Sequence, residues 1–295
     1  MGLSLFAWLQ EEWEKESVGE NSGLFEFRAG EIEKLHLKYP GSDRPSVVLV
    51  RSDEGWTLEE PVKAQVNLKV IMGFIHSLAA YQSGKLISKN LESLADYGLE
   101  SPAIWLGVNW SRQGQSFYSE LSVGSDSVVG YGVYLRDHNK GKIWLGSRHL
   151  KLLLRKSVMD WRERVIIDLN IPTLNKFSFS AGSGEGKVYE RGEKGFCQPG
   201  NMGKCLGSGT VQLLSKIAEI RVEGFILRDP GDIFNKTDYR LEWWQAGDSQ
   251  RSLKVRFYGG SLLAQYLDSP ELLELPVSVM EAFEALRKDI MASSG

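Results

Sequence analysis

The sequence is poor in the residues that build metal centres and disulfide frameworks. Its 295 residues include only two cysteines and four histidines. His36, His76, His138 and His149 stand far apart, and no H-E-x-x-H spacing occurs, which excludes a zincin. Cys197 and Cys205 have no flanking His or Cys pairs to complete a zinc site, and no CxxC redox pair exists. Long apolar runs are missing as well. No stretch approaches the ~18 apolar residues that span a bilayer, so a polytopic membrane protein is excluded. Charge of one sign is not in excess: 35 Lys and Arg face 38 Asp and Glu, a net charge of −3. That balance argues against a general nucleic-acid binder.

What is present fits a globular protein. Hydrophobic residues are 42% and charged residues 25%, which rules out disorder and a collagen-like fibre. The length suggests about two domains, each able to bury a core without staples. The chain opens Met1-Gly2-Leu3-Ser4-Leu5-Phe6-Ala7-Trp8-Leu9-Gln10 and then turns charged at Glu11-Glu12-Trp13-Glu14. No positive region precedes the apolar run, so it is not a signal peptide as it stands. It reads either as an amphipathic helix turn packed on the domain or as the remnant of an anchor helix, with Trp8 and Trp13 at the membrane interface.

Along the chain, hydrophobic periodicity alternates between strand and helix. Glu31–Val50 reads as a hairpin broken at Tyr39-Pro40-Gly41-Ser42-Asp43, with a third strand at Gly55-Trp56-Thr57-Leu58. From Ala64 to Tyr81 the residues Val66, Val70, Phe74 and Leu78 fall on one helical stripe, which Gly84 closes. Asn90 caps a short helix through Tyr97. Strands follow at 103–109, 116–123, 132–136 and 142–145, then helices near Ser147 and Met159-Asp160-Trp161-Arg162, then a strand at Val165-Ile166-Ile167. The same order recurs in the second half: a hairpin over 176–189, a strand over 194–199, a helix over 210–222, four strands between 239 and 275, and a helix opened by Pro276. Trp110 and Gly124 in the first half answer to Trp244 and Gly259 in the second, at nearly equal spacing. The expected fold is α+β: two tandem related lobes, each a mostly antiparallel twisted sheet packed with helices. The segments are 1–24 as N-terminal remnant, 25–168 as first lobe and 172–290 as second.

Several phrases of the first half also occur in this order in a known family. They are Gly55-Trp56-Thr57-Leu58…Pro61, Tyr97-Gly98-Leu99…Pro102, Leu121-Ser122-Val123-Gly124, Gly132-Val133-Tyr134-Leu135-Arg136 and Asp160-Trp161-Arg162-Glu163-Arg164. Over roughly residues 30–170 the chain resembles the bacterial envelope family designated domain of unknown function 4340 (DUF4340). The resemblance implies a periplasmic domain, anchored in the inner membrane by one helix, that accompanies ABC-type transport or gliding-motility systems. It carries over no catalytic residues.

Chemical motifs are thin. Gly182-Ser183-Gly184-Glu185-Gly186-Lys187 lacks the hydroxyl that must follow a P-loop lysine, because Val188 stands there. No G-x-S-x-G elbow exists. The densest charged-aromatic cluster is Asp160–Arg164. Arg162 and Arg164 can grip an anionic partner in bidentate fashion, or cap carbonyls while Trp161 plugs the joint between lobes. Trp243 and Trp244 must face opposite sides of a strand, so one is expected in the core and the other on a contact surface. Cys197 and Cys205 are either free thiols or one short disulfide in an oxidising compartment. The expectation is a non-enzymatic extracytoplasmic binding or scaffolding module, or else a small-ligand receptor with a cleft between the lobes. No cofactor or metal is expected. The partner is a protein in a membrane complex, not nucleic acid, with membrane contact only through the N-terminal anchor.

Overall fold

The computed structural model describes residues 24–292 except 83, 89–93, 129–131, 166, 183, 194, 228–230, 246–249, 268 and 270. Of the expected N-terminal remnant, residues 1–24, all but Leu24 lie outside the described residues. Two compact units emerge, residues 1–163 and 164–295. The division falls between Glu163 and Arg164. Ile167 and Leu169, placed at the end of the first lobe or just past it by sequence, pack into the second core.

The first unit begins with the meander β1 (Ile32–Lys38), β2 (Val47–Ser52), β3 (Gly55–Glu60) and β4 (Ala64–Gln65). Helix α1 (Leu68–Ala79) and β5 (Lys85–Ser88) come next, then a 3-10 turn at Leu94–Tyr97. The remaining strands are β6 (Ile104–Arg112), β7 (Gln115–Asp126), β8 (Gly132–Asp137) and β9 (Lys142–Ser147), closed by α2 (Arg148–Leu154) and α3 (Val158–Trp161). The strands form a sheet in the order β4-β3-β2-β1-β6-β7-β8-β9-β5, antiparallel throughout. Period-two alternation sends Leu35 and Leu37 into the core and leaves Lys34 and Lys38 exposed. The β6–β7 hairpin turns through Gln113 and Gly114, whose φ values of 53° and 78° give the two-residue turn that matches strand twist. Helix α1 buries Ile71, Phe74, Ile75 and Leu78 against the sheet.

The second unit contains β10 (Leu174–Ala181), β11 (Lys187–Gly192), β12 (Gly195–Gln198), β13 (Asn201–Cys205), α4 (Ser208–Ala218) and β14 (Gly224–Leu227). A 3-10 turn at Gly231–Asn235 leads to β15 (Tyr239–Gln245), β16 (Gln250–Tyr258), β17 (Ser261–Tyr266), β18 (Glu271–Leu275) and α5 (Val279–Ala292). Its sheet order is β13-β12-β11-β10-β15-β16-β17-β18-β14. Strand for strand, this is the order of the first sheet. Phe177, Trp243, Leu253 and Ala264 face Leu214 and Ile217 of α4 and Phe283 and Leu286 of α5 in one core.

Several sequence expectations are corrected. The helix expected from Ala64 starts at Leu68, because Asn67 caps it: its Oδ1 accepts from the Val70 N–H at 3.1 Å. Ala64 and Gln65 are instead the edge strand β4. Gly84, expected to close the helix, lies beyond it and leads into β5. Asn90, the expected cap of the next helix, lies outside the described residues; the chain near Tyr97 forms the 3-10 turn Leu94–Tyr97. Val165 and Ile167 belong to no strand. The Leu169 N–H returns to the Ile167 carbonyl at 2.9 Å, a tight turn about Asp168, with Ile167 and Leu169 in the core. Pro276 stands three residues before α5, and its carbonyl accepts from the Val279 N–H. Strands β4, β5, β13 and β14, of two to five residues each, were not expected from the sequence.

Candidate functional site

The phrases that carried the resemblance are built into the fold. Asp160 forms a capping box with Ser157 at the start of α3. Trp161 is 0% exposed in the first core. Arg162 is 7% exposed and pairs with Val66 in an isolated antiparallel bridge. Around that bridge the Asn67 N–H donates to the Trp161 carbonyl (2.8 Å) and the Glu163 N–H to the Gln65 carbonyl (2.9 Å). The Glu163 carboxylate also accepts from the Asn67 side-chain amide at 3.1 Å. The cluster therefore clamps the start of α1. Arg164 donates from Nε to the Val222 carbonyl at 2.7 Å. Arg162, offered by sequence as a grip for an anionic partner, is turned inward instead.

Tyr97-Gly98-Leu99 has a similar task. Gly98 takes φ +64°, and a Cβ there would press on the backbone of Ser125. A Cβ on Gly124 would strike the Tyr97 carbonyl oxygen. The two phrases thus meet glycine to backbone.

The face of the first sheet turned away from α1 carries the densest group of chemistry-bearing side chains. The Oγ of Ser122 lies 2.8 Å from Nε2 of His138. On the other side of the ring, Nδ1 of His138 lies 3.4 Å from Oε1 of Glu120. Trp105 donates its indole N–H to the same Oε1 at 2.8 Å, and its ring meets His36 edge-on. Lys38 sits over that indole at 4.7 Å. Burial lowers the pKa of His138 below its ordinary 6.5, against the pull of Glu120. Burial and the Glu120 carboxylate push the Tyr118 phenol up to about 12. The Ser–His–Glu order has the connectivity of a hydrolytic relay. Ser122, however, is only 2% exposed, and Glu120 is shared with Trp105. As it stands the group orients its own members rather than presenting a nucleophile. In the sequence His138 is only one of four histidines standing far apart. The signal that could have found the group is the alternation Tyr118, Glu120, Ser122, which places three polar side chains on one face of β7.

In the second unit Trp243 is 0% exposed and donates to the Asp168 carbonyl at 2.9 Å, so it is a core residue and not a contact surface. Trp244 faces the other way, half-buried, with Lys176 5.1 Å from its ring centroid. Cys197 and Cys205 are register partners of β12 and β13, joined in a disulfide with Cα atoms 3.9 Å apart. A cleft of about 630 Å³ lies over β10 and β15, floored by Ser178, Ser180, Arg240 and Glu242. Among the described residues no three His, Cys, Asp or Glu side chains converge as metal ligands, and no helix is long and apolar enough to cross a membrane.

A family model for the domain of unknown function DUF4340 matches residues 56–242, more than half of the chain. The chain belongs to the DUF4340 family. The match runs past the first lobe as far as β15, so the family's pattern extends through part of the second unit as well. No curated protein and no solved structure matches the chain significantly.

Proposed function

We propose that this DUF4340 protein is a non-enzymatic, extracytoplasmic binding or scaffolding module that works beside an ABC-type transport or motility complex. The observation that carries the reading is the fate of the family's phrases. Tyr97-Gly98-Leu99 and Asp160–Arg164 are spent on backbone docking, capping and core packing. A family whose most specific residues hold the fold offers that fold as a surface. The Cys197–Cys205 disulfide supports the compartment, since such bonds persist where the surroundings oxidise. Anchoring in the inner membrane belongs in this reading to the N-terminal side. We infer also that the two lobes arose by duplication, supported by their identical strand order and by the recurrence of helices α1 and α4 after the fourth strand of each.

Two measurements on whole cells test the proposal. Unreduced protein, alkylated at lysis, should show Cys197 and Cys205 unmodified. Cross-linking before membrane solubilisation should recover the chain with subunits of an ABC-type transporter. Recovery in the cytosol with both thiols alkylated overturns it.

A further inference from the structure

The cleft of the second unit is a large hollow whose lining is set by the sheet itself. Ser180 pairs with Arg240 and Ser178 with Glu242 across β10 and β15, so all four point to the face opposite the core. Gly182 and Gly184-Glu185-Gly186 form one wall and Asn235–Thr237 the other. Its volume of about 630 Å³ lies in the range of small-ligand sites.

Three features narrow the ligand. First, among the described residues no large apolar side chain lines the cleft, so a greasy ligand finds no partner. Second, the lining holds two cations, Arg240 and Lys236, and two carboxylates, Glu242 and Glu185. A ligand of one sign gains nothing from that balance, whereas a ligand with both signs is matched. Third, Arg240 is held at a cost. Lys254 stands directly opposite it on β16, so two cations adjoin on this face. The Arg240 Nε is buried and has no hydrogen-bond partner among the described residues. A carboxylate in the cleft, set against the outer nitrogens of the guanidinium, would offset the adjoining positive charge. Arg240 and Glu242 are two residues apart on one strand, about 7 Å. The ammonium and carboxylate of a free amino acid are only about 3 Å apart, less than half that spacing. A dipeptide, extended at about 3.3–3.6 Å per residue, matches it.

We propose that this cleft binds a short zwitterionic peptide, its C-terminal carboxylate held by Arg240 and its N-terminal ammonium by Glu242. The site lies within one lobe and does not depend on the scaffolding reading.

Calorimetric titration of the whole protein with di-L-alanine tests the proposal. Saturable binding is expected. Amidating the C-terminus or acetylating the N-terminus should each weaken it about tenfold or more, the worth of one charge-assisted hydrogen bond. These blocked peptides need no change to the protein, so a misfolded variant cannot obscure the result. Arg240→Gln should abolish the preference for a free carboxylate, and Glu242→Gln the preference for a free ammonium. Absence of binding at millimolar peptide overturns the proposal. So does equal affinity for the blocked forms, for alanine alone, or for the Arg240→Gln protein.

Discussion

The indole of Trp161 meets the ring of Phe74 edge to face, with 4.8 Å between centroids and 81° between planes. The first ring belongs to the family phrase at the end of the unit, the second to the buried stripe of α1. Their contact ties the last helical turn of the lobe to its main helix. Edge-on packing suits the ring quadrupoles, and both rings are almost fully buried.

Trp161→Ala should therefore destabilise the first unit by about 3–5 kcal/mol, the cost of emptying an indole-sized volume that neighbours fill only in part. Trp161→Phe should cost distinctly less, since a ring still faces Phe74. Urea unfolding of both variants decides this. An alanine variant with the midpoint of the parent protein would mean that Trp161 does not hold the core.

Stability should also fall as the medium is acidified below neutrality. His36 and His138 both lie below the ordinary 6.5, in each case chiefly through burial. Lys38 adds to the shift at His36, while Glu120 opposes it at His138. A depressed histidine pKa means that the unfolded chain binds the proton more readily. Its contribution is full above about pH 6.5 and is lost as the pH falls through the folded value. The urea midpoint should drop between about pH 7.5 and pH 5. The drop should shrink in a His36→Gln, His138→Gln double variant. A midpoint that rises on acidification contradicts the burial of both rings.

How much of this was legible in the sequence depended on length of signal. The longer strands showed themselves by alternation or by apolar runs between turn residues, and α1 by Phe74 and Leu78 on one stripe. Ala64–Gln65 is too short to carry a period, and Lys85–Ser88 follows a helix with no hairpin partner beside it in sequence to mark it as a strand. Val165-Ile166-Ile167 looked like a strand because apolar runs of three do not distinguish a strand from a buried connection. The side-chain group at His138 was hidden for another reason: its partners Glu120 and Ser122 come from the neighbouring strand, and only the β7–β8 register brings Ser122 opposite Arg136, two residues from His138. The cleft was hidden likewise. Arg240 and Ser180 are 60 residues apart in the chain, and pairing across β10 and β15 makes them neighbours.

The glycines of the family phrases supply a sharper test, because the same substitution should change sign with position. In Gly124→Ala a Cβ meets the Tyr97 carbonyl, which belongs to backbone and cannot swing aside. The strand or the 3-10 turn must move, and such overpacking costs about 1–3 kcal/mol. Gly98→Ala adds a left-handed φ of +64° to contact with the backbone of Ser125, so it should cost at least as much. Gly73 is different. It lies within α1, and a Cβ there has nothing within 4 Å. Alanine at that position removes freedom from the unfolded chain and favours the helix, so Gly73→Ala should stabilise by about 0.5–1 kcal/mol. Urea midpoints of the three variants, measured side by side, should fall on opposite sides of the parent protein. If Gly124→Ala and Gly98→Ala are as stable as the parent, the two phrases do not dock on one another, and their glycines are then free to serve a ligand or a partner instead of the fold.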